Sequence, residues 1–470
     1  MKNLPLFGLG LEGKSPSVTA QLAENCYYER QADQEKTSLA IYGTPGLELF
    51  VDQGATPWRG LWSFPKNSTL YGVHRGTFYA IDNAGTVTSK GTLETTSGRV
   101  DMTDNGTEIV IVDGAKGWAF NTGTDAFTDI RASDADFPIA NTCDFESGRI
   151  LVDKNDTGQF HGSALYDALT WAALDFATAE SQPDNLIRVV NNNANVVLFG
   201  DFTTEFWGNT GTAGYPYARI FAGEYGLAAR WSAAKFLGTY AFLARNREGQ
   251  VTPAILNGYQ YQTISNPELD HIINGYASVS NATGFSYMLG GHPMYQLNFP
   301  TPATSWLYDA TTKYWSKLSS SGGRHRAEIS ADFINETVVS DYTNGKLYKI
   351  KANTYTENGT AITRRLRGRH IFDARNKIRI PRLEILGETG AGLVTGQGSD
   401  PQLMLRLSKD GGQSFGTEKW ASFGKVGEYG QRAIFGNNGA GRDIVAELVY
   451  TEPTKFVLTG ASWEPVGGLS

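Results

Sequence analysis

The residues in this chain that could do chemistry are six histidines, two cysteines and a scatter of carboxylates, and their spacing gathers none of them into a site. His74, His161, His271, His292, His325 and His370 lack the His-Glu-x-x-His or His-x-His spacing that would bring two imidazoles to one metal, so each reads as structural. Cys26 and Cys143 lie far apart with no Cys-x-x-Cys or His-rich neighbourhood, which points to two reduced, buried thiols. Asp373 with Glu384, or Glu224 with Asp270, could be written as acid and base. That chemistry needs two carboxyls at a set separation in a cleft, and sequence distance supplies no such separation. No Gly-x-Ser-x-Gly elbow, Walker loop or dinucleotide glycine fingerprint occurs. The expectation is a protein with no catalytic residues, no metal and no cofactor.

Two local features remain. Ser408-Lys409-Asp410-Gly411-Gly412-Gln413-Ser414-Phe415 resembles the Asp-box of sialidase-type propellers, in which the aspartate ties down a hairpin turn, so Asp410 is expected to be structural. Arg364, Arg365, Arg367 and Arg369 open a basic stretch interrupted by Leu366, Ile371, Ile378 and Ile380. Three readings stand for it: a solvated strand edge guarded by charge, a contact with another subunit or an acidic partner, or a phosphate contact.

The elements that would have to position these residues are short strands. Tyr71 to Val73, Ile109 to Val112, Ile150 to Val152, Val196 to Phe199, Tyr240 to Leu243, Tyr287 to Leu289 and Val338 to Val339 start 38 to 51 residues apart. Aromatic second strands follow glycine or polar turns, as in Gly76 to Ile81, Gly117 to Phe120, Ser305 to Tyr308 and Gly345 to Ile350. That period suits a propeller blade, and the segments are too short and too rich in β-branched and aromatic residues for helix pairs. Gly at 54 of 470 residues and 12% aromatics fit an all-β chain with many tight turns. The expected fold is a β-propeller of about seven blades, or six if one unit is irregular, over residues 61–355. An extended N-terminal arm over 1–60 would precede it, and a C-terminal antiparallel β-sandwich-like domain over 356–470 would follow. No apolar run approaches the roughly 20 residues that cross a bilayer, and the N-terminus has no signal-peptide apolar region, so a soluble protein made in a cytoplasm is expected. The net charge of −7 argues against a general nucleic-acid binder, though not against an acidic wall past which DNA slides.

One segment is specific in order and spacing: Gly162 to Trp171, then Leu174 to Asp184 with Ala179-Glu180-Ser181-Gln182-Pro183-Asp184, then Val196 to Gly200, then Thr204-Glu205-Phe206-Trp207. It resembles the packaged-DNA stabilisation proteins of short-tailed double-stranded DNA phages, the tail accessory or nozzle proteins. Asn25-Cys26-Tyr27-Tyr28-Glu29, Tyr42-Gly43-Thr44-Pro45-Gly46-Leu47 and Trp306-Leu307-Tyr308-Asp309 with Trp315 extend the likeness over nearly the whole chain. Trp171, Glu180, Pro183, Asp184, Phe206 and Trp207 are expected to build blades rather than an active site. The resemblance implies a virion tail protein, assembled in the host cytoplasm. It would form a homo-oligomeric ring, usually hexameric, on the tail adaptor below the portal, and carry a fibre, spike or needle. Double-stranded DNA would be retained by the ring and ejected through its lumen without sequence specificity, and no membrane is involved. The alternative is a tail-tip propeller that binds or depolymerises carbohydrate, with Trp171 and Trp207 as its best sugar platforms.

Overall fold

The computed structural model describes residues 2–4, 6, 8, 10–31, 38–180, 182, 184–212, 214–374 and 376–466. Among them, seven antiparallel sheets of four strand positions follow one another along the chain. Blade one comprises Trp58–Phe64, Thr69–His74, Thr77–Ile81 and Val87–Thr92. The inner strands of blades two, three and four are Asp101–Asp104, Cys143–Glu146 and Leu186–Asn192. In blade five the innermost position is shared by Gly226–Leu227 and Ala234–Phe236, which both pair with Thr239–Arg245. Blades six and seven start at Thr283–Leu289 and Ala327–Phe333.

Closure follows from strand pairing and from the core. Lys346–Lys351 of blade seven pairs antiparallel with Gly46–Asp52, so the segment just before blade one completes the last blade. Separate apolar clusters fill all seven gaps between adjacent blades. The last of them joins Ile329, Phe333, Val338 and Leu347 of blade seven to Trp58, Leu61, Leu70 and Ile81 of blade one. Each blade is buried on both faces, which is why second strands such as Glu108–Val112 and Asn195–Gly200 read as continuous apolar runs.

Blade six departs from the expected phase. Tyr287 to Leu289 lie in its inner strand, and the second strand is His292–Phe299. Gln296 and Asn298 interrupt that second strand's apolar run, although both are buried. They are satisfied internally, since Gln296 Nε2 donates to Asn298 Oδ1 at 2.9 Å and Asn298 Nδ2 donates to the Ala327 carbonyl at 2.9 Å. A polar pair whose needs are met by each other and by the next blade looks, in sequence, like a turn or an edge.

The C-terminal part is a two-sheet sandwich around its own core, which includes Leu366, Leu383, Leu405, Phe435, Leu448 and Leu458. One sheet runs through Cys26–Arg30, Leu39–Gly43, Val457–Val466, Ile378–Gly387 and Ala433–Gly436. The other runs through Leu22–Glu24, Arg364–Arg367, Asp443–Tyr450, Gln402–Ser408 and Lys419–Ser422, and continues into blade six where Glu24 pairs with Lys317. The expected arm is therefore stitched into its own chain: residues 1–60 supply strands to both sandwich sheets and to blade seven. The blade-seven sheet also runs past residue 356, through Thr356–Glu357 and Thr360–Ala361.

Candidate functional site

The chemistry-bearing residues are spread over the fold; His271 and Asp373 are exposed, and the others are engaged one by one. His292 Nδ1 lies 2.8 Å from Asp309 Oδ2, and His370 sits between Asp443 Oδ1 at 2.7 Å and the Pro16 carbonyl at 2.9 Å. His74 meets the Thr56 carbonyl, His325 meets Gln296, and His161 stacks on Phe176. Burial pushes the His161 imidazole down to about 4. Cys26 and Cys143 are free and buried, and burial pushes the Cys26 thiol up to about 12, far from a reactive thiolate. Arg432 holds Glu384, Arg247 pairs with Glu224, and Asp270 accepts from the hydroxyls of Thr252 and Ser265. No group of three or more metal-ligating side chains occurs among the described residues.

The specific segment builds blade interfaces. Trp171 lies in Asp167–Thr178, edge-on to Phe137 with ring centroids 4.9 Å apart, and its Nε1 donates to the Ala168 carbonyl. Phe206 and Trp207 are neighbours on Thr204–Asn209 and so point to opposite faces. Phe206 enters the core between blades four and five, while Trp207 enters the core between blades three and four, edge-on to Phe160. Asp184 accepts from the amides of Phe202 and Thr203 and from the Thr203 hydroxyl, so it ties down the turn after Asn195–Gly200. Glu180 is exposed, and Pro183 lies outside the described residues.

The four arginines do not form one surface. Arg364 is 1% exposed, which removes it from any contact with a partner. Alternation along Arg364–Arg367 turns Arg364 and Leu366 inward and Arg365 and Arg367 outward. Arg365 pairs with Glu24, and Arg367 is held by Glu447 and Glu12 and lies over the Phe415 ring. Arg369 is exposed. Asp410 does tie its hairpin: its carboxylate accepts from Ser408 Oγ, from Ser414 Oγ and from the amides of Gln413 and Ser414, which holds its pKa well below the usual carboxylate range. Phe415 then packs beneath Arg367 and Arg406, whose guanidinium also bonds Glu447.

Sequence reasoning missed the propeller axis. The inner strands surround a cavity of about 420 Å³ lined by Trp62, Arg99, Asp101, Asp144, Arg188, Trp231, Lys235 and Asp332, among others. Trp231 comes from the segment that interrupts the innermost strand of blade five. Gly284 lets that segment approach, since a Cβ there would meet the Ser232 carbonyl at 2.4 Å, and its amide donates to the Trp231 carbonyl at 2.7 Å. The Trp231 ring lies 4.8 Å from the Arg99 guanidinium and 5.3 Å from that of Arg188. Arg99 precedes blade two and Trp231 belongs to blade five, so the first contact spans the axis. A single arginine or tryptophan per blade carries no period, and no sequence pattern marks these residues as neighbours.

A propeller and a sandwich are the two parts described for a known phage protein family. A family model described as bacteriophage P22 Gp10, beta-propeller, matches residues 3–355, and a second, bacteriophage P22 Gp10, beta-sandwich, matches residues 363–464. The chain belongs to this phage P22 Gp10 family. A curated relative, the tail hub protein gp10 of Salmonella phage P22, is 29% identical over 141 residues, which cover 28% of this chain and 29% of the relative. The match thus spans under a third of that relative's length. Among solved structures, BamB from Moraxella catarrhalis is similar at a TM-score of 0.41 and 11% identity, over 69% of this chain and 97% of that one. The extracellular domain of a putative hybrid two component system from B. thetaiotaomicron is similar at a TM-score of 0.42 and 8% identity, over 72% and 46% of the two chains.

Proposed function

We propose that this protein is a structural component of a phage tail. In this reading it forms a ring below the portal and adaptor, retains packaged DNA, and frames the channel through which the DNA leaves. The observation that carries the reading is the match of both domains, in order, to the P22 Gp10 family. The name of the relative, a tail hub protein, supports the tail assignment.

Two features of the fold fit this reading. The axis of one propeller offers DNA no path, because Arg99, just before blade two, and Trp231 of blade five meet across it at 4.8 Å, whereas the major groove of a duplex is alone about 12 Å wide. A DNA channel would therefore lie between copies arranged about a common axis, as head-to-tail contacts closing by rotation would arrange them. The continuous sheet from blade six into the sandwich also ties the two domains together, which suits a part that must hold a pressurised genome. The carbohydrate alternative loses the platforms it relied on, since Trp171 and Trp207 are buried at 4% and 8% exposure.

Cryo-electron microscopy of the purified protein, alone and mixed with portal and adaptor complexes from its virion, tests the proposal. A closed ring seated coaxially below the adaptor is the expected result. A monomer that ignores the adaptor and binds surface polysaccharide would overturn it.

A further inference from the structure

We infer that the axial cavity of the propeller binds a small anion through a carboxylate or phosphate group, with Arg99 as its principal donor. This goes beyond the tail role and does not depend on it.

The argument starts from which charges in the cavity are already committed. Asp101 accepts from the Cys143 amide at 3.2 Å and faces Arg188 at 3.7 Å. Asp144 accepts from the amides of Phe145 and Asn191 and from the Tyr240 hydroxyl. Asp332 accepts from the Thr337 hydroxyl at 3.0 Å. Arg188 donates to the carbonyls of Arg230 and Ala233. The three carboxylates and one of the two arginines are thus engaged by the protein itself.

Arg99 and Lys235 are not. Among the described residues, Arg99 has no ion pair and no side-chain hydrogen bond, and its Nη1 is buried without a partner. Its guanidinium lies over the Trp231 ring. Glu328, whose charge is felt by Arg99, is held by Arg324. Lys235 stands exposed at the cavity wall, likewise without an ion pair. A guanidinium held by a ring rather than by a carboxylate keeps hydrogen-bonding capacity, and its planar fork matches the two oxygens of a carboxylate or phosphate. Arg99 lines the cavity with no carboxylate of the protein to meet it, so an acceptor that enters the cavity would complete the arrangement. The volume of about 420 Å³ falls in the range of small-molecule sites and exceeds what one ion needs, which leaves room for the rest of a small anionic metabolite.

Because Arg99 and Trp231 come from opposite sides of the ring, an anion held there would also brace the propeller across its axis. Binding to the folded state alone then raises the melting temperature with ligand concentration.

The test is isothermal calorimetry and thermal melting of the full chain with inorganic phosphate and with acetate, at constant ionic strength set by chloride. Saturable binding of one anion per chain is expected, weakened at least tenfold in Arg99→Gln and less in Lys235→Gln. It should be unchanged in Arg369→Gln, a surface control on the sandwich. Phosphate alone binding would identify a phosphoryl ligand, and acetate binding as well would identify the carboxylate class. If Arg99→Gln does not fold, Arg99→Lys keeps the charge while removing the fork, and the same weakening is expected. Absence of saturable binding of either anion, or equal binding by the Arg99 variant, overturns the inference.

Discussion

Replacing Arg364 with methionine is expected to stabilise the protein. Arg364 is the largest of the fully buried side chains, and its Nε, Nη1 and Nη2 all lack hydrogen-bond partners. It lies over the backbone of Gly43, where a Cβ would meet Nε at 2.1 Å, so only glycine admits the guanidinium there. Its surroundings include Cys26 and Tyr450, and burial lowers its pKa. A buried charge without a partner costs several kcal/mol, and each unmatched donor contributes about 1–3 kcal/mol to that cost. Methionine keeps most of the length and flexibility of the side chain and discards the charge. A gain of about 1–4 kcal/mol is the range seen when buried ionic groups give way to apolar ones of similar volume. For a domain of 150–250 residues that corresponds to roughly 2–4 °C per kcal/mol in melting temperature. Calorimetry should show the higher-melting Arg364→Met beside an unimproved Arg364→Lys, which retains the charge. A methionine variant that melts several degrees below the parent would refute the reasoning, because it would mean the guanidinium is satisfied inside the fold.

Two further outcomes are expected. Trp207→Ala empties part of the core between blades three and four and should cost about 3–5 kcal/mol by urea denaturation, while a loss under about 1 kcal/mol would show that the interface does not depend on it. Stability should also depend on pH with two opposing signs. Burial raises Asp153 to about 6, above the ordinary aspartate value, so its contribution is full at low pH and is lost as pH rises through about 6. Asp153→Asn should therefore gain up to about 3 kcal/mol at pH 7 and lose that dependence. His161, lowered to about 4 from 6.5, contributes stability above pH 6.5 that is lost as pH falls through about 4, and His161→Phe should abolish that loss. Urea midpoints measured from pH 4 to 8 separate the two, and a variant profile parallel to the parent's would contradict the assignment.

The all-β class, the propeller and the C-terminal sandwich were legible in the amino-acid order because they rest on local physics. A strand buried on both faces must be a short apolar run, and turns between such runs need glycine and polar residues. Asp410 was legible for the same reason, since its hydrogen bonds reach only as far as Ser408 and Ser414. Trp171, Phe206 and Trp207 were recognised as blade-builders by their size and order, although which of the interfaces each fills depended on strand pairing.

What tertiary structure alone decided was every relation between residues distant along the chain. Gly46–Asp52 closing blade seven, and Leu22–Glu24 joining blade six to the sandwich, put residues 1–60 inside the fold rather than beside it. The phase of blade six turned on Gln296 and Asn298, whose polarity misleads unless their mutual hydrogen bond is known. The basic stretch divided because strand alternation sent Arg364 inward and its neighbours outward, and the inward face was set by pairing with Asp443–Tyr450. Arg99, Arg188 and Trp231 meet only because seven blades close a ring, and ring closure brings together residues that share no spacing in sequence. Sequence determines what each strand buries through its own periodicity; which strands then face each other is a property of the closed chain.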